Sequence, residues 1–244
     1  MKIRVLGIGM GPQHVTPEVA DALRSSDYVI AAEKAGSDGL LAVRREIAAT
    51  HGIEMIAVPD PERDRDNPAD YGKVVTDWHT ARVAAYETVL RDRGGTAAFL
   101  VWGDPALYDS TIRIVEQLAA RLSAEFDVFP GISAPHMLAA RHRIVLHPVG
   151  DPVHITTARR LREDIAAGQR NLCVMLTGNL DLTGLDDWSI WWGANLGTAS
   201  ERLVAGQVGD VWPELRRARA QAKAEAGWVM DVYLLRAPAA RSER

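Results

Sequence analysis

The sequence predicts an α/β protein of two domains, an N-terminal mostly parallel five-stranded sheet followed by a mixed five-stranded sheet. Three observations carry that expectation. At 244 residues the chain is longer than one ordinary domain of about 100 to 200 residues. Its first half alternates short apolar runs with helix-spaced segments, the pattern of strand–helix–strand crossovers. In its second half strand-like runs outnumber helical ones, which favours a mixed sheet.

Taken in order, Ile3–Ile8 reads as a buried strand. Thr16, Pro17 and Glu18 then supply an N-cap, a proline at the first helical position and an acid in the first turn, for a helix through Arg24. Tyr28–Ala32 is the second strand, Leu40–Ala49 a helix, and Met55–Val58 a third strand stopped by Pro59. Asp60–Pro68 is charged and flanked by prolines, and reads as a solvated loop. Tyr71–Arg93 has helical spacing closed by Gly94-Gly95, and Thr96–Trp102 is a fourth strand running into Gly103-Asp104-Pro105. Ser110–Leu122 is a helix, Phe126–Phe129 the fifth strand, and Ser133–Arg141 a further helix. Turn formers cluster at His147–Pro152, so the domains are expected to span residues 1–146 and 147–244. Beyond that point Val153–Thr157, Leu172–Leu176, Ser189–Ala194, Leu203–Val211 and Trp228–Leu235 are strand candidates, with helices at Ala158–Ala167 and Val211–Glu225. Trp188, Trp191, Trp192, Trp212 and Trp228 all fall here and are expected mostly in the core. Ala240–Arg244 is expected to fray.

Composition narrows the function. Hydrophobic residues at 47% and charged residues at 25% are ordinary for globular proteins, which excludes a disordered, collagen-like or coiled-coil chain. A net charge of -4 argues against a nucleic-acid partner or an anionic membrane surface. The single cysteine, Cys173, lies in an apolar run, so a reducing compartment, the cytoplasm, is expected and a nucleophilic thiol is not. The opening residues carry no signal-peptide pattern, and no apolar run approaches the length of a membrane span.

Gly7-Ile-Gly9-Met10-Gly11-Pro12 follows the first strand and lets backbone approach a ligand. A dinucleotide fingerprint requires a third glycine where Pro12 stands, and a helix start within the motif rather than at Thr16. A nicotinamide-dependent oxidoreductase is therefore disfavoured, despite Glu33 after the second strand. Trp102-Gly-Asp-Pro-Ala-Leu-Tyr108 leaves the end of a parallel strand, where open α/β sheets place ligands. Asp104 there accepts hydrogen bonds from loop N–H groups or from a cationic ligand; a tight turn with Asp104 as its cap explains the same residues. Pro130-Gly131-Ile-Ser133-Ala134 leaves the next strand, so the three glycine-bearing loops should share one crevice. The seven histidines lack ligand spacing, so no metal is expected, and no nucleophile elbow is present. Binding loops without covalent machinery suit a reaction that mainly holds two ligands in line.

These residues resemble the tetrapyrrole (precorrin) methyltransferases that use S-adenosylmethionine. The resemblance rests on Leu-Gly-Ile-Gly-Met-Gly from Leu6, Trp-Gly-Asp-Pro-Ala-Leu-Tyr-Asp-Ser-Thr from Trp102, Phe-Pro-Gly-Ile-Ser-Ala from Phe129 and Trp-Gly-Ala-Asn-Leu-Gly-Thr-Ala-Ser-Glu from Trp192. Ala-Ala-Arg-His-Arg-Ile from Ala139, Val-His-Ile-Thr-Thr-Ala-Arg-Arg from Val153 and the ending Gly-Trp-Val-Met-Asp-Val-Tyr-Leu-Leu-Arg look like a deacetylating member of that family.

The resemblance implies a homodimer of two-domain subunits that binds S-adenosylmethionine between the domains and releases S-adenosylhomocysteine. The implied cofactor positions are Met10, Trp102, Gly103, Asp104, Leu107, Ser133, Ala134, Leu176 or a neighbour within Met175–Gly178, Gly197 and Thr198. The implied reaction methylates C-1 of precorrin-5 and releases its acetyl group as acetate, giving precorrin-6A on the aerobic cobalamin route. An enamine-type carbon attacks a sulfonium methyl without a metal, because the leaving group departs neutral. Deacylation adds water attack on a carbonyl, for which Asp104, His14 and His136 are the bases considered, Asp104 being the catalytic candidate. Arg141, Arg143, Arg159 and Arg160, in loop-adjacent clusters, are candidates for the carboxylates of the tetrapyrrole, with ordinary surface arginines the alternative. Other readings keep the fold and methylate another corrin intermediate or a protein side chain, or make the chain a non-catalytic nucleotide-binding module.

Overall fold

The computed structural model describes residues 1–34, 39–61 and 71–238, in two compact units, Met1–Ser133 and Ala134–Arg244. Most of the expected loop after Asp60 and the expected frayed C-terminus lie outside the described residues. No helix among the described residues is long and apolar enough to cross a membrane.

The first unit runs β1 (Lys2–Gly7), α1 (Pro17–Arg24), β2 (Tyr28–Glu33), α2 (Gly39–Thr50), β3 (Glu54–Pro59), α3 (Tyr71–Arg93), β4 (Thr96–Val101), α4 (Thr111–Leu122) and β5 (Glu125–Phe129). All five strands are parallel, in the order β3-β2-β4-β1-β5. Local chemistry sets α1: the Thr16 hydroxyl accepts from the Val19 N–H at 3.2 Å, and Pro17 occupies the first turn. The buried faces of β1 alternate with the strand period. Leu6 and Ile8 pack with Val19, Leu23 and Ile47 of α1 and α2, whereas Ile3 and Val5 pack with Val83, Leu90, Ile114 and Leu118 of α3 and α4. Each such fully buried Leu, Ile or Val contributes roughly 1.5–3 kcal/mol. Connections through α1 and α2 advance along the sheet in one direction, and those through α3 and α4 return in the other. Right-handed crossovers therefore put the two helix pairs on opposite faces. The reversal leaves β1 beside β4 with their following loops diverging to opposite faces, the topological switch point at which open sheets bind ligands.

The second unit contains α5 (Ala134–His142), β6 (His154–Thr157), α6 (Leu161–Ala166), β7 (Asn171–Met175), β8 (Ser189–Ala194), β9 (Arg202–Gln207), α7 (Val208–Ala226) and β10 (Asp231–Arg236). Its sheet is mixed, in the order β6-β7-β10-β8-β9, with β6 parallel to β7 and the other pairs antiparallel. Trp192, Tyr233, Leu172, Val174 and Leu215 form its core, together with Trp188.

The division falls at Ser133/Ala134 rather than at the turn cluster near His147. The reason is α5, which packs on the second sheet: the His142 ring nitrogen Nε2 pairs with the Trp192 carbonyl at 3.0 Å, and Leu138 is fully buried. β9 also ends earlier than the apolar run suggests, because Val208 opens α7 after an extended Gln207. β10 begins at Asp231, so Trp228 precedes it.

Candidate functional site

Three loops meet backbone to backbone at the carboxyl edge of the parallel sheet. After β1, Gly9 pairs with Gly103 in an antiparallel bridge: the Gly103 N–H donates to the Gly9 carbonyl at 2.8 Å, and the Gly9 N–H to the Gly103 carbonyl at 3.2 Å. The loop after β5 closes on the same point. A Cβ on Gly7 would lie 2.5 Å from the Gly131 nitrogen, and one on Gly131 would lie 2.8 Å from the Gly7 carbonyl carbon. Neither position holds a side chain without moving main chain.

Asp104 fixes this junction. Its Oδ1 accepts from the Ala106 N–H at 2.8 Å, within its own turn, and its Oδ2 accepts from the Gly131 N–H at 2.9 Å, across to the β5 loop. Both oxygens therefore work as backbone acceptors, the cap reading, and one of those bonds also spans two loops. The open side of the junction is at Gly103, which has φ of 76°; a Cβ there would meet only the Met10 sulfur, at 3.9 Å. Met10 and Ser133 are buried at this rim, Trp102 and Leu107 are half-buried, and Tyr108 is exposed with φ of 53°. All the first-unit positions among the cofactor candidates thus lie on these three loops. Ala134 starts α5 in the second unit. His14 ends the turn after Gly11, its Cβ against Gly9, while His136 is exposed on α5.

The second-unit candidates share one edge of their own sheet. β6, β7 and β8 run in the same direction, so Thr157, Met175 and Ala194 end together. Leu176 follows β7 in the left-handed region (φ 55°) and is 56% exposed. Gly197 and Thr198 follow β8 in a turn built on Asn195, also left-handed at φ 48°. Buried Asn195 donates from Nδ2 to the Trp228 carbonyl at 3.3 Å and accepts the Met230 N–H at 2.9 Å. The Gly197 N–H donates to Glu201 Oε2 at 2.7 Å, and Arg141 Nε reaches both oxygens of that carboxylate at 2.8 and 3.1 Å.

Of the four arginines expected to meet substrate, Arg141 is thus ion-paired to Glu201, and Arg160 sits with Glu163 at 3.1 Å and Asp164 at 3.6 Å. Arg143 and Arg159 are exposed, Arg159 at the β6 end of the shared edge. Cys173 is buried in β7, where desolvation pushes its thiol up to about 12, so it carries no thiolate at neutral pH. Sequence reasoning missed Asn195 and Glu201 as loop-holding groups. An asparagine directly after a strand and before Leu-Gly was the available signal for a left-handed turn.

Comparison with known proteins gives concordant findings. The family model for Tetrapyrrole (Corrin/Porphyrin) Methylases matches residues 2–211. A precorrin-6A synthase [deacetylating] from Sinorhizobium sp is 42% identical over 248 residues, covering 96% of this chain and 95% of the relative. The crystal structure of a cobalamin synthesis related protein (CobF) from Corynebacterium diphtheriae superposes with a TM-score of 0.83 at 37% identity, over 97% of this chain and 98% of that one. A uroporphyrin-III C-methyltransferase from Thermus thermophilus, complexed with S-adenosyl homocysteine, has a TM-score of 0.59 at 14% identity, over 96% of this chain and 97% of that one, and shows the shared fold.

Proposed function

This chain belongs to the tetrapyrrole (corrin/porphyrin) methylases, S-adenosylmethionine-dependent enzymes, and from that premise we propose that it converts precorrin-5 to precorrin-6A, methylating C-1 and releasing acetate. The observation that carries the reading is the fusion of the β1, β4 and β5 loops at the switch point, on the residues of the glycine-bearing motifs. The Sinorhizobium relative supports the choice of substrate.

The rim fits a sulfonium nucleoside better than a dinucleotide. α1 starts at Thr16-Pro17, beyond the separate turn at Pro12–His14, so the glycine motif after β1 does not run into that helix start as a dinucleotide fingerprint requires. Instead the rim leaves space at the side-chain position of Gly103, beside the Met10 sulfur, which suits an uncharged nucleoside and a sulfonium. When bound, S-adenosylmethionine supplies an electrophilic methyl that a ring carbon takes as the C–S bond breaks. The protein's contribution is alignment. Met10, Trp102, Gly103, Leu107, Ser133 and Ala134 are proposed to contact the cofactor from the first loops and the start of α5, and Leu176, Gly197 and Thr198 from the second sheet's edge. Asp104 is proposed as the group that positions the rim, since both of its oxygens are committed to main chain. Arg143 and Arg159, exposed on loops of the second unit, are proposed for the substrate's carboxylates, and Arg141 for holding the Gly197 turn. A cytoplasmic homodimer completes the proposal, supported by the family resemblance and by the lone buried cysteine.

The test is incubation of the purified protein with S-adenosylmethionine and precorrin-5, followed by mass spectrometry. S-adenosylhomocysteine, acetate and a product that has gained a methyl group and lost an acetyl group should appear in equal amounts. Absence of S-adenosylhomocysteine across tetrapyrrole acceptors overturns the reading.

A further inference from the structure

The second unit contains a buried ion pair that the proposed reaction does not use. Arg219 on α7 donates from Nε to Asp231 Oδ2 at 2.8 Å, and the Asp231 side chain is 1% exposed. The same carboxylate oxygen accepts the Trp192 Nε1–H at 3.2 Å. The other end of the guanidinium faces the turn after β7: Nη2 donates to the Thr177 carbonyl at 3.0 Å and to the Gly178 carbonyl at 3.1 Å. One side chain thus ties β10 to the two peptide units directly beyond Leu176.

Two features point to position rather than stability. Asp231 Oδ1 is buried and accepts no hydrogen bond among the described residues, so the pair is only partly compensated, and apolar replacements of such pairs are often neutral or stabilising. Leu176, next to the braced carbonyls, holds a left-handed backbone that a side chain disfavours, while presenting an exposed apolar group. Something must over-determine that conformation, and a planar five-donor fork fixing two successive carbonyls does so.

We propose that Arg219 and Asp231 are positioning residues that hold Leu176 outward for S-adenosylmethionine. This inference rests on the methyltransferase reading and on Leu176 as a contact. The pair touches no ligand itself; it acts through the turn, so its loss should weaken cofactor binding more than it weakens the fold.

The experiment uses the full chain with Arg219→Met and Asp231→Leu combined, which removes both charges at similar volume. Thermal unfolding reports the fold, calorimetry with S-adenosylhomocysteine reports affinity, and limited chymotrypsin digestion of the ligand-free protein reports cleavage at Leu176. The expected result is a folded variant with affinity weakened about tenfold, equivalent to ~1.4 kcal/mol, and faster cleavage at Leu176. Leu176→Ala should weaken binding in the wild-type background and cost little more in the double variant, the mark of residues acting as one unit. A folded double variant that binds within twofold of wild type, or whose cleavage rate is unchanged, overturns the proposal. Should that variant not fold, Asp231→Asn, isosteric and uncharged, takes its place: weaker binding with faster cleavage supports the brace, and wild-type behaviour in either measurement overturns it. Wild-type protein that fails to bind S-adenosylhomocysteine defeats the functional reading first. The cleavage rates then still decide whether the brace holds the turn.

Discussion

Asp104 is an aspartate whose two oxygens receive main-chain N–H groups from two different loops, and that decides what its substitution should do. Asp104→Asn puts an amide NH₂ against one N–H donor and removes a charge-assisted bond. Stability should fall by about 1–3 kcal/mol, and affinity for S-adenosylhomocysteine should fall with it. A general-base role makes the opposite prediction: rate lost while affinity and melting temperature stay. Calorimetry and thermal unfolding on the one variant separate the two. The neighbouring glycines give a graded companion test. Gly131→Ala drives a methyl into the main chain of Gly7, whereas Gly103→Ala meets only a sulfur at contact distance and bears chiefly the left-handed backbone cost of roughly 1–2 kcal/mol. Chemical denaturation should therefore find Gly131→Ala the more destabilised. Equal losses would mean that the junction relaxes. Glycine spacing and strand-end position make these residues legible in the sequence. That Gly7 and Gly131 touch is not legible, because the contact joins residues far apart in the chain.

Elements bounded by local chemistry can be read closely from the sequence, and those bounded by tertiary packing cannot. α1 begins at Pro17 and ends at Arg24 as Thr16-Pro17-Glu18 and the following turn require, since cap and proline act within four residues. The sequence places the β9–α7 boundary too late, because the β-branched residues Val204, Val208 and Val211 favour a strand by type while their i, i+4, i+7 spacing also fits a helix. The turn formers near His147 suggest a boundary after α5, whereas the compact units divide before it, because only burial against β8 and β10 reveals the partner of that helix. α6 carries a prediction of its own. Asp164 is held below the ordinary carboxylate range, first by the Thr156 hydroxyl at 2.5 Å, against the opposing effect of desolvation, and then by His154 and Arg160. A lowered folded value means that this stabilisation is present above the unfolded pKa and is lost as pH falls through the folded one. Thr156→Val should thus be less stable than wild type near neutral pH, with the gap shrinking as both are taken below about pH 4. Urea unfolding across a pH series checks it, and a gap independent of pH would mean that the hydroxyl matters only for packing.

At the scale of the whole molecule, ligand choice follows from where the topology reverses and what the loops there present. A parallel sheet with β1 and β4 diverging at their carboxyl ends would suit any nucleotide; the distinction lies in the distance from strand end to helix start. Here Gly9, bridged to Gly103, and a separate turn at Pro12–His14 stand between β1 and Pro17, so the N–H groups that open α1 lie outside the glycine motif, unlike those of a dinucleotide-binding loop. S-adenosylhomocysteine at a hundred times its dissociation constant should stabilise the protein by about 2.7 kcal/mol. At roughly 2–4 °C per kcal/mol for a chain of this size, that is a rise of about 5–11 °C in melting temperature. NADH at the same concentration should leave the transition where it was. Differential scanning fluorimetry with both ligands makes the comparison without any tetrapyrrole. A shift with NADH alone would return the glycine loops to dinucleotide binding, and equal shifts with both would mean that the rim reads only the shared adenosine.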